Sequence, residues 1–332
     1  MIFNPNMNKV TLDQSIQWVT KGFKEIVKNY RLFGLNVMSV FVITSCIDLF
    51  SARMPVLNVL YVMYFFILGT VILNLYNSRN RQDHLISLFA GFRPPYVRRL
   101  MTSGILFCIG FIVTLIVSMI FLYYKGFFNQ ENIEQLQMVT ERLSSPAALK
   151  QLEEVISNMG AKQFDFGAFR EIFPNVDLGK IAMLTQQLVI AIEIFLIIFL
   201  IVFCYFWLVP YFCTLCYEDL KYKRINMYAL SFKAAFSLKN ILPLFSFGIS
   251  LCVIIVLYNF LLVEVINSVS NMPVRILLED LKDAVSSCFM LYSGYFMFLD
   301  LFSNHEEEKQ EVAAQNISDK NKMAANVEVK KL

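Results

Sequence analysis

From Ile181 to Val209 the chain reads IAMLTQQLVIAIEIFLIIFLIVFCYFWLV, an apolar run interrupted by a single charge, Glu193. A helix rising about 1.5 Å per residue needs roughly 20 such residues to cross about 30 Å of hydrocarbon. This stretch therefore predicts a transmembrane helix. Five more read the same way: Leu32 to Phe50, Pro55 to Tyr76, Met101 to Tyr124, Ile241 to Ile266 and Ala284 to Phe302. Barrel strands would alternate apolar and polar residues over about ten positions, and none of these runs does. The composition agrees, since 57% of the 332 residues are hydrophobic and 17% charged, against roughly 45–50% and about 25% in a soluble domain. The expectation is an all-α, polytopic membrane protein with six transmembrane helices. That composition argues against a soluble enzyme, a nucleic-acid reader and a disordered scaffold.

Orientation is read from Lys and Arg, which keep short loops in the cytoplasm. Lys9, Lys21, Lys24, Lys28 and Arg31 precede the first span, Arg79, Arg81, Arg93, Arg98 and Arg99 lie in the second connection, and Lys221, Lys223, Arg224, Lys233 and Lys239 in the fourth. The first connection holds only Arg53, and the fifth Arg275 and Lys282. Both termini are expected inside. The expected layout is a cytoplasmic amphipathic segment over 1–31, a membrane domain over 32–302 with an outer helical loop inserted at 125–180, and a disordered cytoplasmic tail over 303–332. No cleavable signal peptide is expected in the polar opening stretch. The seven cysteines lie in or beside spans, so disulfide stapling is not expected.

The three basic flanks resemble one another. They read SIQWVTKGF to Phe23, HLISLFAGF to Phe92 and YALSFKAAF to Phe236, each closing on a small residue and a phenylalanine. In the first, Ile16, Val19, Phe23, Ile26, Val27 and Tyr30 recur at three and four spacing, with Lys21, Lys24 and Lys28 toward the other side, the pattern of an interfacial helix. Three repeats of interfacial helix plus transmembrane hairpin account for this pattern; amphipathicity common to any basic loop beside a membrane is the alternative. The candidate lipid-contact cations are Lys21, Lys24, Lys28, Arg93, Arg98, Arg99, Lys233 and Lys239.

The stretch Leu88 to Arg93, Trp207 to Pro210 and Ser231 to Pro243 resembles a loose YciC-like group of bacterial inner-membrane proteins of unknown function. The likeness runs over roughly Ile16 to Phe302 and omits the outer loop and tail. It implies a bacterial inner-membrane location and an all-helical fold, and names no substrate.

In the outer loop, helices are predicted over Glu131 to Leu143 and Pro146 to Met159, with Ser145 as N-cap, Pro146 at the first helical position and Gly160 as the stop. Phe164, Phe166, Phe169 and Phe173 follow. The loop reads either as a self-packed cap or as a docking site for a membrane or periplasmic protein.

Glu193 is the sharpest candidate functional residue, because a charge inside a span is costly unless paired, neutralised or hydrated. Gln186, Gln187, Asn259 and Glu264 are its candidate neighbours. It reads as a coupling carboxylate or as a protonated structural group. Asp48 and Asp300 sit near span ends, and Glu279, Asp280, Lys282 and Asp283 form a polar entry to the sixth span. Cys213 and Cys216 have the spacing of a metal or redox pair, but His84 and His305 are the only histidines, too few to complete a zinc site. Glycine and serine at Gly104, Gly110, Ser118, Ser246, Gly248 and Ser250 are expected to let helices approach. Pro210 and Pro243 cap spans or mark a hinge. No phosphate loop, HExxH or nucleophile elbow is present, so neither catalysis nor a cofactor is expected. The expected function is a non-enzymatic organiser of anionic lipid or partner proteins, the alternative a transporter of a small or amphiphilic molecule using Glu193.

Overall fold

The computed structural model describes residues 3–53, 63–159, 172–173 and 176–303. The chain is all-helical, and among the described residues its one β contact is a lone antiparallel bridge between Phe3 and Ser303. The helices are α1 (Leu12–Lys28), α2 (Tyr30–Arg53), α3 (Met63–Arg79), α4 (Tyr96–Tyr124), α5 (Gln130–Leu143), α6 (Pro146–Met159), α7 (Leu178–Phe206), α8 (Tyr217–Tyr222), α9 (Met227–Ala235), α10 (Ile241–Asn267) and α11 (Met272–Phe302). Among the described residues, five stretches are long and apolar enough to cross a bilayer: Tyr30–Ile47, Tyr96–Tyr124, Leu178–Tyr222, Ile241–Asn267 and Met272–Phe302. The molecule is a multi-pass helical membrane protein. Of the expected second span, Pro55 to Tyr76, the first part lies outside the described residues and the rest is α3. The expected tail falls outside them from residue 304 onward.

Two compact units divide the chain, Met1–Cys108 with Phe203–Leu332, and Ile109–Val202. In the first, the buried interior is built chiefly by α3, the stretch from Val209 to α8, and α11, with Val37, Val40, Ile43 and Ile47 of α2. Tyr211 stacks on Phe298 at 5.2 Å and its hydroxyl donates to the Leu291 carbonyl at 3.2 Å. Val209 and Cys213 pack with Phe65, Phe66 and Leu100, and the Arg79 guanidinium of α3 lies over the Phe296 ring of α11 at 5.1 Å. Lipid is as apolar as these side chains, so close packing and hydrogen bonding hold such helices together more than water exclusion does. Burial is greatest along α11, where 67% of the spanning window is buried, against 39% for α2, 17% for α4, 11% for Leu178–Tyr222 and 6% for α10.

Helix α2 runs antiparallel to α11. Phe33 meets Tyr292 edge to face at 5.5 Å and, one end to the other, Ser45 Oγ donates to Asp280 at 2.7 Å. The polar entry expected before the sixth span is thus part of a longer helix that starts at Met272. The fourth span was expected to end at Val209. Instead α7 breaks at Trp207 and Leu208, Pro210 restarts the helix, and a π-helical turn over Phe212–Cys216 leads into α8. Proline tolerates this place because a first-turn residue has no intrahelical acceptor for an N–H.

In the second unit the remainder of α4 pairs with α7. Phe111 meets Phe195 and Phe199 edge to face at 5.8 and 5.9 Å. A Cβ on Gly110 would lie 2.9 Å from Val202, so this glycine does serve close approach. Gly248 does not, since nothing lies within 4 Å of it. The predicted loop helices form, α5 beginning one residue early, and the Ser145 carbonyl accepts from Leu149 at 3.0 Å. Ala148, Ile172 and Phe173 make a small core with Val139 and Val176. Gly160, Phe164, Phe166 and Phe169 lie outside the described residues.

Candidate functional site

Helix α1 is the most informative surface. A capping box starts it, with Gln14 accepting from the Thr11 N–H at 2.7 Å. One face, Ser15, Trp18, Val19, Gly22 and Glu25, is buried. Gly22 permits this, because a Cβ there would stand 3.0 Å from the Ser293 backbone nitrogen of α11 and 2.5 Å from its Oγ. Trp18 meets Phe247 of α10 edge to face at 5.4 Å and donates through Nε1 to Asp300 at 2.7 Å. Leu12, Ile16, Phe23, Val27 and Tyr30 form a second, exposed stripe, with Val27 at 63% and Tyr30 at 65% exposure. Asp13, Gln17, Thr20, Lys24 and Lys28 form a third, polar face.

The expected single apolar face is therefore two. Val19 and Ile26 turn toward the protein, while Ile16, Phe23, Val27 and Tyr30 stay outside. Among the candidate cations, Lys21 has its Nζ 3.0 Å from Asp300 Oδ2 in an ion pair. Arg99 is paired with Glu218 and lies 3.6 Å over the Tyr217 ring. Arg93 donates to the Leu85 carbonyl at 2.9 Å but remains exposed. Lys24, Lys28, Arg98, Lys233 and Lys239 are exposed.

The two other flanks are positioned by the helix that precedes them. The Gly91 N–H donates to Thr70 Oγ1 of α3 at 2.9 Å, and a Cβ at Gly91 would meet the Phe66 carbonyl at 2.5 Å. In α9 the Ser231 hydroxyl donates to the Cys204 carbonyl at 3.1 Å and accepts from the Leu208 N–H at 3.3 Å. The first flank, α1, lies on α11.

A buried polar chain, not anticipated from the sequence, ties these parts together. Asn36 donates to the Tyr292 hydroxyl at 3.0 Å and accepts from Asn74 at 2.8 Å. Asn74 also exchanges bonds with the Ser87 backbone at 2.9 and 3.1 Å. Asn36, Asn74 and Tyr292 are fully buried. The signal available in the sequence was an asparagine within each of two apolar spans.

Glu193 lies exposed on α7, and no hydrogen bond or ion pair engages it among the described residues. Its expected neighbour Gln187 instead reaches the Lys125 carbonyl at 3.4 Å. Asn259 and Glu264 belong to the other unit. The side chain of Asp48 and all of His305 lie outside the described residues. Cys213 and Cys216 are buried and unpaired, and no cluster of three metal-ligating side chains exists among the described residues. Cys213 Sγ is 3.6 Å from Ser103 Oγ, which is 3.2 Å from the Tyr228 hydroxyl. Burial pushes the Tyr228 phenol above its ordinary 10.0.

No family model, curated protein or solved structure matches this chain. What the arrangement can do rests on its own surfaces.

Proposed function

We propose that this protein is a non-enzymatic inner-membrane component of a bacterium that gathers anionic lipid at the cytoplasmic face, where both termini lie. The supporting observation is the three-faced α1: docked on the bundle by Trp18 and Gly22, apolar outward, and basic at Lys24 and Lys28. Such a helix lies in the headgroup plane, with its apolar stripe in the acyl boundary. Each nearby cation adds about 1 kcal/mol of attraction to an anionic leaflet. The orientation rests on the Lys and Arg flanks, and the bacterial location on the YciC-like resemblance. Each flank seats on a hairpin's second helix, but the second flank forms two short 3₁₀ turns, Asp83–Leu85 and Ala90–Phe92, and not the interfacial helix the repeat reading expects. The transport alternative needs groups gathered about Glu193, and no observation favours it.

The test is lipid enrichment around the reconstituted protein, read with spin-labelled phosphatidylglycerol and phosphatidylcholine. The wild type is expected to enrich the anionic label, and the triple variant Lys24→Glu, Lys233→Glu, Lys239→Glu to lose that enrichment. Equal enrichment in both would overturn the proposal.

A further inference from the structure

A polar recess of about 500 Å³ opens where α1 turns into α2 beside the end of α3. Lys28 and Asn29 line it from the corner, Ser78, Arg79 and Arg81 from the end of α3. Its volume suits a small ligand, and its polar walls are unsuited to an acyl chain.

Charge in the recess is unevenly satisfied. Buried Glu25 accepts from the Asn29 side chain and lies 3.7 Å from the Arg79 guanidinium. Lys28 and Arg81 have no ion-pair partner among the described residues. Asp83 also faces the recess and is likewise without an ion pair.

Arg81 supplies the second observation. Helix α3 ends in a Schellman motif, in which the Gln82 N–H donates to the Asn77 carbonyl at 2.8 Å and the Arg81 N–H to the Ser78 carbonyl at 3.2 Å. This places Arg81 at φ +56°, the left-handed position glycine ordinarily takes. A side chain there costs roughly 1–2 kcal/mol. Backbone geometry favours glycine at this position, as it does at Arg224 (φ +53°), and of the two arginines Arg81 is the one displayed in a polar recess.

The surroundings identify the ligand. Val27 and Tyr30 flank Lys28 and Asn29 on the exposed apolar stripe of α1. A phosphate seated at Lys28 thus has apolar surface beside it, which acyl chains use and free phosphate does not. We propose that this recess is a headgroup site for one phospholipid, with Lys28 and Arg81 on the phosphodiester, Ser78 donating to it, and Asp83 accepting from a headgroup hydroxyl or ammonium. The inference rests on the interfacial reading of α1 and deepens it from diffuse attraction to a stoichiometric site.

The full-length protein in neutral detergent is titrated with phosphatidylglycerol and read by native mass spectrometry. One retained lipid is expected, bound about tenfold more weakly by Arg81→Gly, a change of roughly 1.4 kcal/mol. Because glycine suits φ +56°, the thermal midpoint of that variant is expected to hold or rise. Arg224→Gly is the matched control: Arg224 takes φ +53° in the same motif after α8 and does not line the recess. It is expected to leave retention unchanged. Undiminished retention in Arg81→Gly, or an equal loss in Arg224→Gly, overturns the site. Displacement by inorganic phosphate at matched concentration overturns the lipid assignment, and equal retention of phosphatidylcholine, which offers no donor, overturns the role of Asp83. Anionic enrichment without a single retained lipid refutes this site alone; a retained lipid without enrichment refutes the diffuse reading alone.

Discussion

Alanine at Gly22 and at Gly34 is the same substitution in two helix interiors, and the two are expected to differ in sign. Removing glycine from a helix gains about 1 kcal/mol. At Gly34 nothing lies within 4 Å of the new Cβ, so the gain is kept. At Gly22 the Cβ would stand 2.5 Å from Ser293 Oγ, 3.0 Å from its nitrogen and 3.1 Å from its Cα. The serine hydroxyl can rotate, but the backbone atoms cannot yield unless α1 lifts from α11. Overpacking of this kind costs about 1–3 kcal/mol, and subtracting one variant from the other cancels the propensity gain and leaves that cost. Stability is read by denaturant titration of the reconstituted protein. The lifting of α1 is read by Trp18 fluorescence in a Trp207→Phe background, since these are the two tryptophans. Ser293→Ala added to Gly22→Ala removes only the nearest atom, the Oγ at 2.5 Å, and is expected to restore part of the loss. Gly22→Ala matching Gly34→Ala in stability, with Trp18 emission unmoved, would refute the close approach of α1 to α11.

Asp300→Ala strands the buried Trp18 N–H and releases Lys21, an expected loss of about 1–3 kcal/mol, whereas Asp300→Asn keeps an acceptor and costs less; denaturant midpoints check the order. Tyr228, whose pKa is raised by burial, contributes stability that is complete below pH 10 and is lost as pH rises through its folded value, so Tyr228→Phe is expected to flatten the alkaline limb of a stability profile. Glu193→Gln is expected to leave unfolding unchanged or slightly harder, because an exposed mid-span carboxylate with no partner among the described residues has only a solvation cost to lose; clear destabilisation would reveal a partner. Asn8→Ala uncovers the Asp300 and Ser303 carbonyls, to which its amide donates at 3.0 and 2.7 Å, and faster hydrogen exchange at the end of α11 is the expected reading.

The spans were legible because hydrocarbon admits few residue types, and the loop helices because Ser145 and Pro146 mark a start locally. The faces of α1 were not. Periodicity reports that Val19 and Phe23 are both apolar, and both a protein interior and a lipid boundary accept apolar side chains. The role of Lys21 was hidden for a different reason: its partner Asp300 is 279 residues away, and at the level of pattern Lys21 groups with Lys24 and Lys28. Attention to ionisable groups favoured Glu193 and passed over Asn36 and Asn74, neutral residues whose importance depends on the two meeting. The π turn at Phe212–Cys216 follows from how α7 restarts at Pro210, which no local motif encodes.

Closure of the chain on itself explains why α1 differs from the other two flanks. The second and third flanks seat on a helix just before them in sequence, so chain connectivity already holds each in place. Helix α1 instead seats on α11, with 282 residues separating Trp18 from its acceptor Asp300. That contact must be stabilised by interactions alone, and they are concentrated there: Trp18 and Lys21 on Asp300, Phe3 stacked on Phe302 at 6.1 Å, and the Asn4 and Asn8 N–H groups on the Phe302 and Leu301 carbonyls at 2.8 Å each. Those carbonyls belong to the last turn of α11 and would otherwise lack donors. The same residues that complete the end of α11 thus fix α1 in the plane where its apolar stripe and Lys28 face the lipid. Loosening this closure should therefore weaken lipid retention even when no cation is altered.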